Sequence, residues 1–153
     1  MSVHLGILQT DSVLETLQPR FGDYPQMFEE LFREQDPEMT FTTYNVQQML
    51  PSNLECDAYL ITGCKLSVYD DLPWIKELAS FIRHAIEAKK KIIGICFGHQ
   101  LIAHFFGGEV GPASAGWGVG VQTSDLVTTH SWMGVVNQTP SQLHLVASHK
   151  DQV

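Results

Sequence analysis

Ile92-Ile93-Gly94-Ile95-Cys96-Phe97-Gly98-His99-Gln100 runs from a continuous apolar segment into a helical one, with a cysteine at the joint. The short apolar run, Ile92 to Ile95, has the character of a central parallel strand buried on both faces. Phe97 to Phe106 reads as a helix, stopped by Gly107-Gly108. Gly94-Ile95-Cys96-Phe97-Gly98 is then the cysteine form of the G-x-S-x-G nucleophile elbow. The nucleophile of such an elbow sits on a tight, strained turn that lifts its side chain above the sheet, and the flanking glycines leave room for that turn. The start of the helix favours negative charge on the sulfur, and the Phe97 amide is placed to donate to a developing oxyanion. A lone cysteine is often just a buried thiol. Here the strand before it, the apolar helix after it and the closing glycines argue for the elbow.

Working outward, strands and helices alternate. Val3 to Leu8 reads as a first strand, and Tyr24 to Glu34 as a helix announced by Asp23 and Pro25. Met39 to Val46 and Ala58 to Thr62 read as the next two strands, the latter ending at Gly63. Pro73 to Lys89 is a strong helix, with Asp70 or Asp71 expected to cap it. Its buried stripe is expected to be Trp74, Ile75, Leu78, Phe81, Ile82, Ala85 and Ile86. Beyond Val110 the pattern changes to strands and turns, at Gly116 to Val127 and Leu143 to Ala147, with no helix. The expectation is an α/β fold: a three-layer, open, mostly parallel sheet of flavodoxin-like kind, with helices on both faces. Ligands in such folds sit at the carboxyl ends of the strands, where the loops after Thr62 and Ile95 both lie.

With 153 residues, 44% of them apolar, the chain is expected to form one domain, residues 1–153, around a real core. A net charge of −8 argues against nucleic acid or an anionic membrane surface as partner. The basic run Lys89-Lys90-Lys91 sits where it offsets a helix dipole. Three cysteines, Cys56, Cys64 and Cys96, lack metal-ligand spacing and suit a reducing, cytoplasmic compartment. No signal peptide, metal site or cofactor motif is read, and no G-x-x-x-x-G-K-[ST] phosphate loop occurs.

The heptapeptide Gly94 to Gln100 resembles the nucleophile signature of class I, triad-type glutamine amidotransferases. Ile61-Thr62-Gly63-Cys64 resembles that family's oxyanion loop. Ser67 to Asp71 with Pro73-Trp74, Ala103 to Val110, Gly116-Trp117-Gly118 and Ser148 to Val153 resemble its GMP-synthase-like, stand-alone branch. The resemblance implies glutamine hydrolysis through a γ-glutamyl thioester on Cys96, with ammonia passed to an unknown acceptor. It implies backbone donors at Gly63 and Phe97. It assigns the amino-acid part of the substrate to Gln100, with contacts from Ser148, Lys150 and Asp151. No cofactor is implied, and the acceptor site would belong to a separate synthase protein or be absent. Relatives acting as γ-glutamyl peptidases share the same half-site, so a γ-glutamyl peptide is the alternative substrate, and a non-catalytic binding or regulatory relative is a third reading.

Two departures from the family bear on these expectations. Thr62 and Cys64 stand where glycine, and proline or serine, are common. The His-Pro-Glu segment that supplies the base and its orienter is absent, and neither His99 nor His149 replaces it at a readable spacing. The expectation is therefore a C-terminally incomplete domain with little glutaminase activity of its own.

Overall fold

Apolar alternation along two strands sets the architecture. In the computed structural model, which describes residues 2–128, 130 and 141–153, strand β1 (His4–Gln9) sends Leu5 and Ile7 to one face and Leu8 to the other. Strand β3 (Ala58–Ile61) does the same with Ala58 and Leu60 against Tyr59 and Ile61, and all four are buried. Both strands therefore need cover on both sides.

One face receives helix α2 (Tyr24–Arg33), whose Phe28 and Phe32 pack on Leu5, Ile7 and Leu60. The other receives α3 (Pro73–Glu87) and α4 (Phe97–Phe105), around Tyr59, Ile61, Ile75, Leu78, Ile82, Phe97 and Leu101. A single-turn helix α1 (Gln18–Phe21) precedes α2; it carries no apolar period to betray it. With β2 (Thr40–Asn45) and β4 (Lys91–Gly94), the sheet has the order β2-β1-β3-β4, parallel throughout. This is the expected three-layer α/β arrangement.

Three local expectations are corrected. β4 is an edge strand of this sheet among the described residues, not a central one; Ile92 and Ile93 are half-buried. An apolar run reports cover on the two faces of a strand, and an edge strand between helix layers has that cover too. Neither Asp70 nor Asp71 caps α3. Leu72 holds the cap position without a side-chain bond, because Asp70 accepts from the Ser67 amide at 3.0 Å and Asp71 pairs with Lys76. Ile86 is exposed, and Ala79 takes its place in the buried stripe. By contrast Asp23 caps α2 in a full capping box with Gln26, as its sequence signals.

The chain divides into two compact units, residues 1–110 with Val153, and residues 111–152. The second contains an antiparallel ribbon of β6 (Gly118–Asp125) and β7 (Gln142–His149), and a short antiparallel pair of β5 (Gly111–Pro112) with β8 (Asp151–Gln152). Among the described residues it has no helix, in line with the sequence pattern. No described helix is long and apolar enough to cross a membrane.

Candidate active site

The joint between β4 and α4 is built by two glycines that carry almost no free space. A Cβ on Gly94 would lie 2.6 Å from the Gly98 carbonyl, and one on Gly98 would lie 2.6 Å from the Ile61 carbonyl oxygen. The helix start is thus pressed directly onto the ends of β3 and β4. Cys96 takes up the turn with φ 52° and ψ −104°, a conformation costly for any residue with a Cβ. In return the side chain is exposed. Phe97 is fully buried beneath it and stacks on Trp74 with ring centroids 5.6 Å apart. The Gly98 amide is taken by the Ile95 carbonyl at 2.9 Å, and the Gln100 amide by the Cys96 carbonyl at 3.0 Å. The Phe97 amide, first in the helix, precedes the intrahelical ladder.

Gly63 comes from the neighbouring strand end. A Cβ there would touch the Cys96 Cβ at 3.5 Å, so the loop after β3 and the elbow are in contact. Gln100 stands one turn along α4 from Cys96 and is 7% exposed. The structure therefore brings together Cys96, Gly63, Phe97 and Gln100. Ser148, Lys150 and Asp151 lie in the second unit: Ser148 pairs with Val119, Lys150 accepts from the Ala113 amide at 2.9 Å, and Asp151 is buried opposite Pro112. His149, beside them, is engaged by the Asp151 carbonyl at 3.0 Å and by Gln122 at 3.2 Å.

Asp11, after β1, and Tyr24, at the start of α2, carry no sequence signal that marks them as neighbours of this region. Asp11 accepts from the Ser12 and Lys65 amides, and its oxygen lies 3.3 Å from the Lys65 ammonium. Burial works to raise the Asp11 pKa, but these donors outweigh it and hold the carboxyl below its usual range. Tyr24 lies close enough to Asp11, Asp23, Cys96 and Cys64 for burial and their charges to push its phenol up. Thr10 and Thr62, both fully buried, tie the ends of β1 and β3 together.

Cys64 also borders the site, yet burial pushes its thiol up to about 11, helped by the Asp11 carboxylate to which it donates at 3.8 Å. Cys56 is fully buried and likewise raised by burial. A shift from 9.0 to about 11 lowers the Cys64 thiolate fraction roughly 100-fold. At pH 8 iodoacetamide is therefore expected to label Cys96 well before Cys64 and Cys56, with Cys64 labelling rising only towards pH 11. Peptide mapping reads the order, and equal labelling of all three at pH 8 contradicts it.

The "Glutamine amidotransferase class-I" family model matches residues 23–153. "Gamma-glutamyl peptidase 5" of Arabidopsis thaliana is 32% identical over 138 residues, which is 87% of this chain and 55% of that protein. A glutamine-hydrolyzing GMP synthase subunit of Methanocaldococcus jannaschii is 38% identical over 108 residues, 68% of this chain and 49% of that protein. The crystal structure of a glutamine amidotransferase from Thermotoga maritima superposes with a TM-score of 0.78 at 19% identity, over 99% of this chain and 62% of that one. The likeness to that structure is one of fold. The chain spans about half the length of these curated relatives.

Proposed function

Because the chain belongs to the class-I glutamine amidotransferase family, we propose that it carries the nucleophile half-site of an enzyme that hydrolyses the side-chain amide of glutamine. The observation that supports this best is Cys96 itself, an exposed thiol held at positive φ between the Gly63 loop and the first amide of α4.

In the proposed reaction the Cys96 thiol gives its proton to water, Sγ bonds to the amide carbon, and the carbonyl π pair moves onto oxygen. The resulting oxyanion accepts from the Phe97 and Gly63 amides. The oxygen's pair then re-forms the carbonyl as the C–N bond breaks, the nitrogen takes that proton back from water and leaves as ammonia, and a γ-glutamyl thioester remains. Water cleaves that thioester to glutamate and restores the thiol. Gln100 holds the amino-acid end of the substrate. Ammonia passes to an acceptor site on a separate synthase chain, a division of labour suggested by the name of the Methanocaldococcus relative. Three free thiols suit a reducing, cytoplasmic setting.

A second reading keeps the thioester and changes the leaving group to the amine of a γ-glutamyl peptide. The name of the Arabidopsis relative favours it. The two readings share the γ-glutamyl group and differ only in what departs.

A glutamine-like chloroketone tests both. It is expected to label Cys96 stoichiometrically at neutral pH. Protection by glutamine alone supports the amidotransferase reading, and stronger protection by a γ-glutamyl dipeptide supports the peptidase. A folded chain that stays unlabelled overturns both and leaves a binding module.

A further inference from the structure

The loop that carries Gly63 makes contacts of its own, Thr62 Oγ1 to the Gly63 carbonyl at 3.3 Å and the Leu66 amide to Cys64 Sγ at 3.5 Å, and is held in addition by Thr10, from the end of a different strand. Thr10 is fully buried, and its Oγ1 lies 2.9 Å from the Gly63 carbonyl and 3.1 Å from the Thr62 carbonyl. The Thr10 amide donates to Thr62 Oγ1 at 2.9 Å, and the Thr62 hydroxyl has two acceptors in reach, Thr10 Oγ1 at 3.0 Å and the Gly63 carbonyl at 3.3 Å. Thr10 in turn directs its own proton to the two carbonyls, the nearer being that of Gly63. The Thr10 carbonyl is itself tethered by Gln47 Nε2 at 2.6 Å. A chain of donors thus runs from β1 into the loop and ends on two consecutive carbonyls.

Those carbonyls determine where the next amides face. In a trans peptide the C=O and the following N–H point in opposite directions. The described backbone has no cis bond. Drawing the Thr62 and Gly63 oxygens to one hydroxyl therefore turns the Gly63 and Cys64 N–H groups together to the opposite side, as a small backbone nest. Among the described residues neither N–H meets a protein acceptor, and Gly63 is the residue in contact with Cys96.

We propose that Thr10 is a positioning residue of this site: its hydroxyl aims the Gly63 and Cys64 amides at the oxygen of an acyl group carried by Cys96. The inference rests on the γ-glutamyl reading above and adds a residue and a second donor to it.

Glutamate γ-semialdehyde is a suitable probe. The Cys96 thiol loses its proton to water, its sulfur bonds to the aldehyde carbon, and the π pair moves to oxygen, which needs the same donors as the reaction. Iodoacetamide is the control, because displacement of iodide at a saturated carbon develops no oxyanion. Protection of Cys96 from iodoacetamide by the semialdehyde reads both quantities in one assay.

Thr10→Val removes the hydroxyl at constant shape. It is expected to weaken protection by about 100-fold, the scale of a lost oxyanion donor. Alkylation without the aldehyde stays within about twofold, since a reaction that never forms the oxyanion never uses the aimed amides. Thr10→Ser restores protection to within about threefold, because it restores the donor. Undiminished protection in Thr10→Val overturns the proposal, as does a parallel loss of alkylation and protection, which marks a merely structural role. If Thr10→Val does not fold, Thr62→Val takes its place. It removes one link of the relay, so a loss of about 10-fold is expected, and no loss overturns the proposal. A wild-type chain that the semialdehyde fails to protect overturns the γ-glutamyl reading and this inference together. A wild type that is protected while Thr10→Val is equally so overturns the inference alone.

Discussion

Cys96→Ala is expected to abolish covalent capture of γ-glutamyl electrophiles, with at least a roughly 1,000-fold loss on the scale of a removed nucleophile, and to leave the fold intact. The reason lies in how the residue is held. The sulfur is exposed and packs against little, so its removal costs little burial. The backbone beneath it is strained at φ 52°, a conformation that costs on the order of 1 kcal/mol for a residue with a Cβ. Cys96→Gly should therefore be more stable than the parent by about 1 kcal/mol while being equally inert. Thermal unfolding and intact-mass labelling, run on both variants, check the pair of statements. Labelling that survives at another cysteine, or an unfolded Cys96→Gly, would remove the elbow from its central place.

Gly98→Ala is expected to destabilise the first unit. In an ordinary helix that replacement is favourable by about 1 kcal/mol. Here the new Cβ would lie 2.6 Å from the Ile61 carbonyl oxygen and 2.7 Å from the Ile61 Cβ. Neither atom belongs to a flexible side-chain end, and Ile61 is fully buried in the sheet. Relief requires α4 to lift from β3, which opens the packing of Phe97 and Leu101 and displaces Cys96 from Gly63. Overpacking of this kind costs about 1–3 kcal/mol. The net expectation is a loss of about 1 kcal/mol, or roughly 2–4 °C in melting temperature for a chain of this size. Gly111→Ala, where a Cβ meets nothing within 4 Å, is the control and should stay within about 0.5 kcal/mol. Urea unfolding of the two variants decides it, and a neutral Gly98→Ala would show that the helix start is not pressed on the sheet.

The same two residues mark how far the sequence could be read. Cys96 and its glycines were legible because an elbow is a local device: strand, turn and helix are contiguous, and close approach demands glycine at fixed offsets. Alternating strands and helices were legible for the same reason, and so was the cap at Asp23. The failures are equally local in cause. Asp70 and Asp71 look like caps until Ser67 and Lys76 compete for their oxygens. Ile92 to Ile95 looks central because apolar runs report faces and not edges.

What the sequence alone determined is the elbow that presents Cys96 and the fold class, since both are written in contiguous patterns of residue type. What tertiary structure decided is the company that cysteine keeps. Thr10 lies 86 positions before it in the chain, and Asp11, Tyr24 and Lys65 are no better marked. Thr10 and Asp11 meet the loop after β3 because β1 and β3 align in parallel and bring their carboxyl ends to one rim. Hydrogen bonds between strand ends obey no sequence period, so the residue that aims the Gly63 loop is visible only once the sheet has formed.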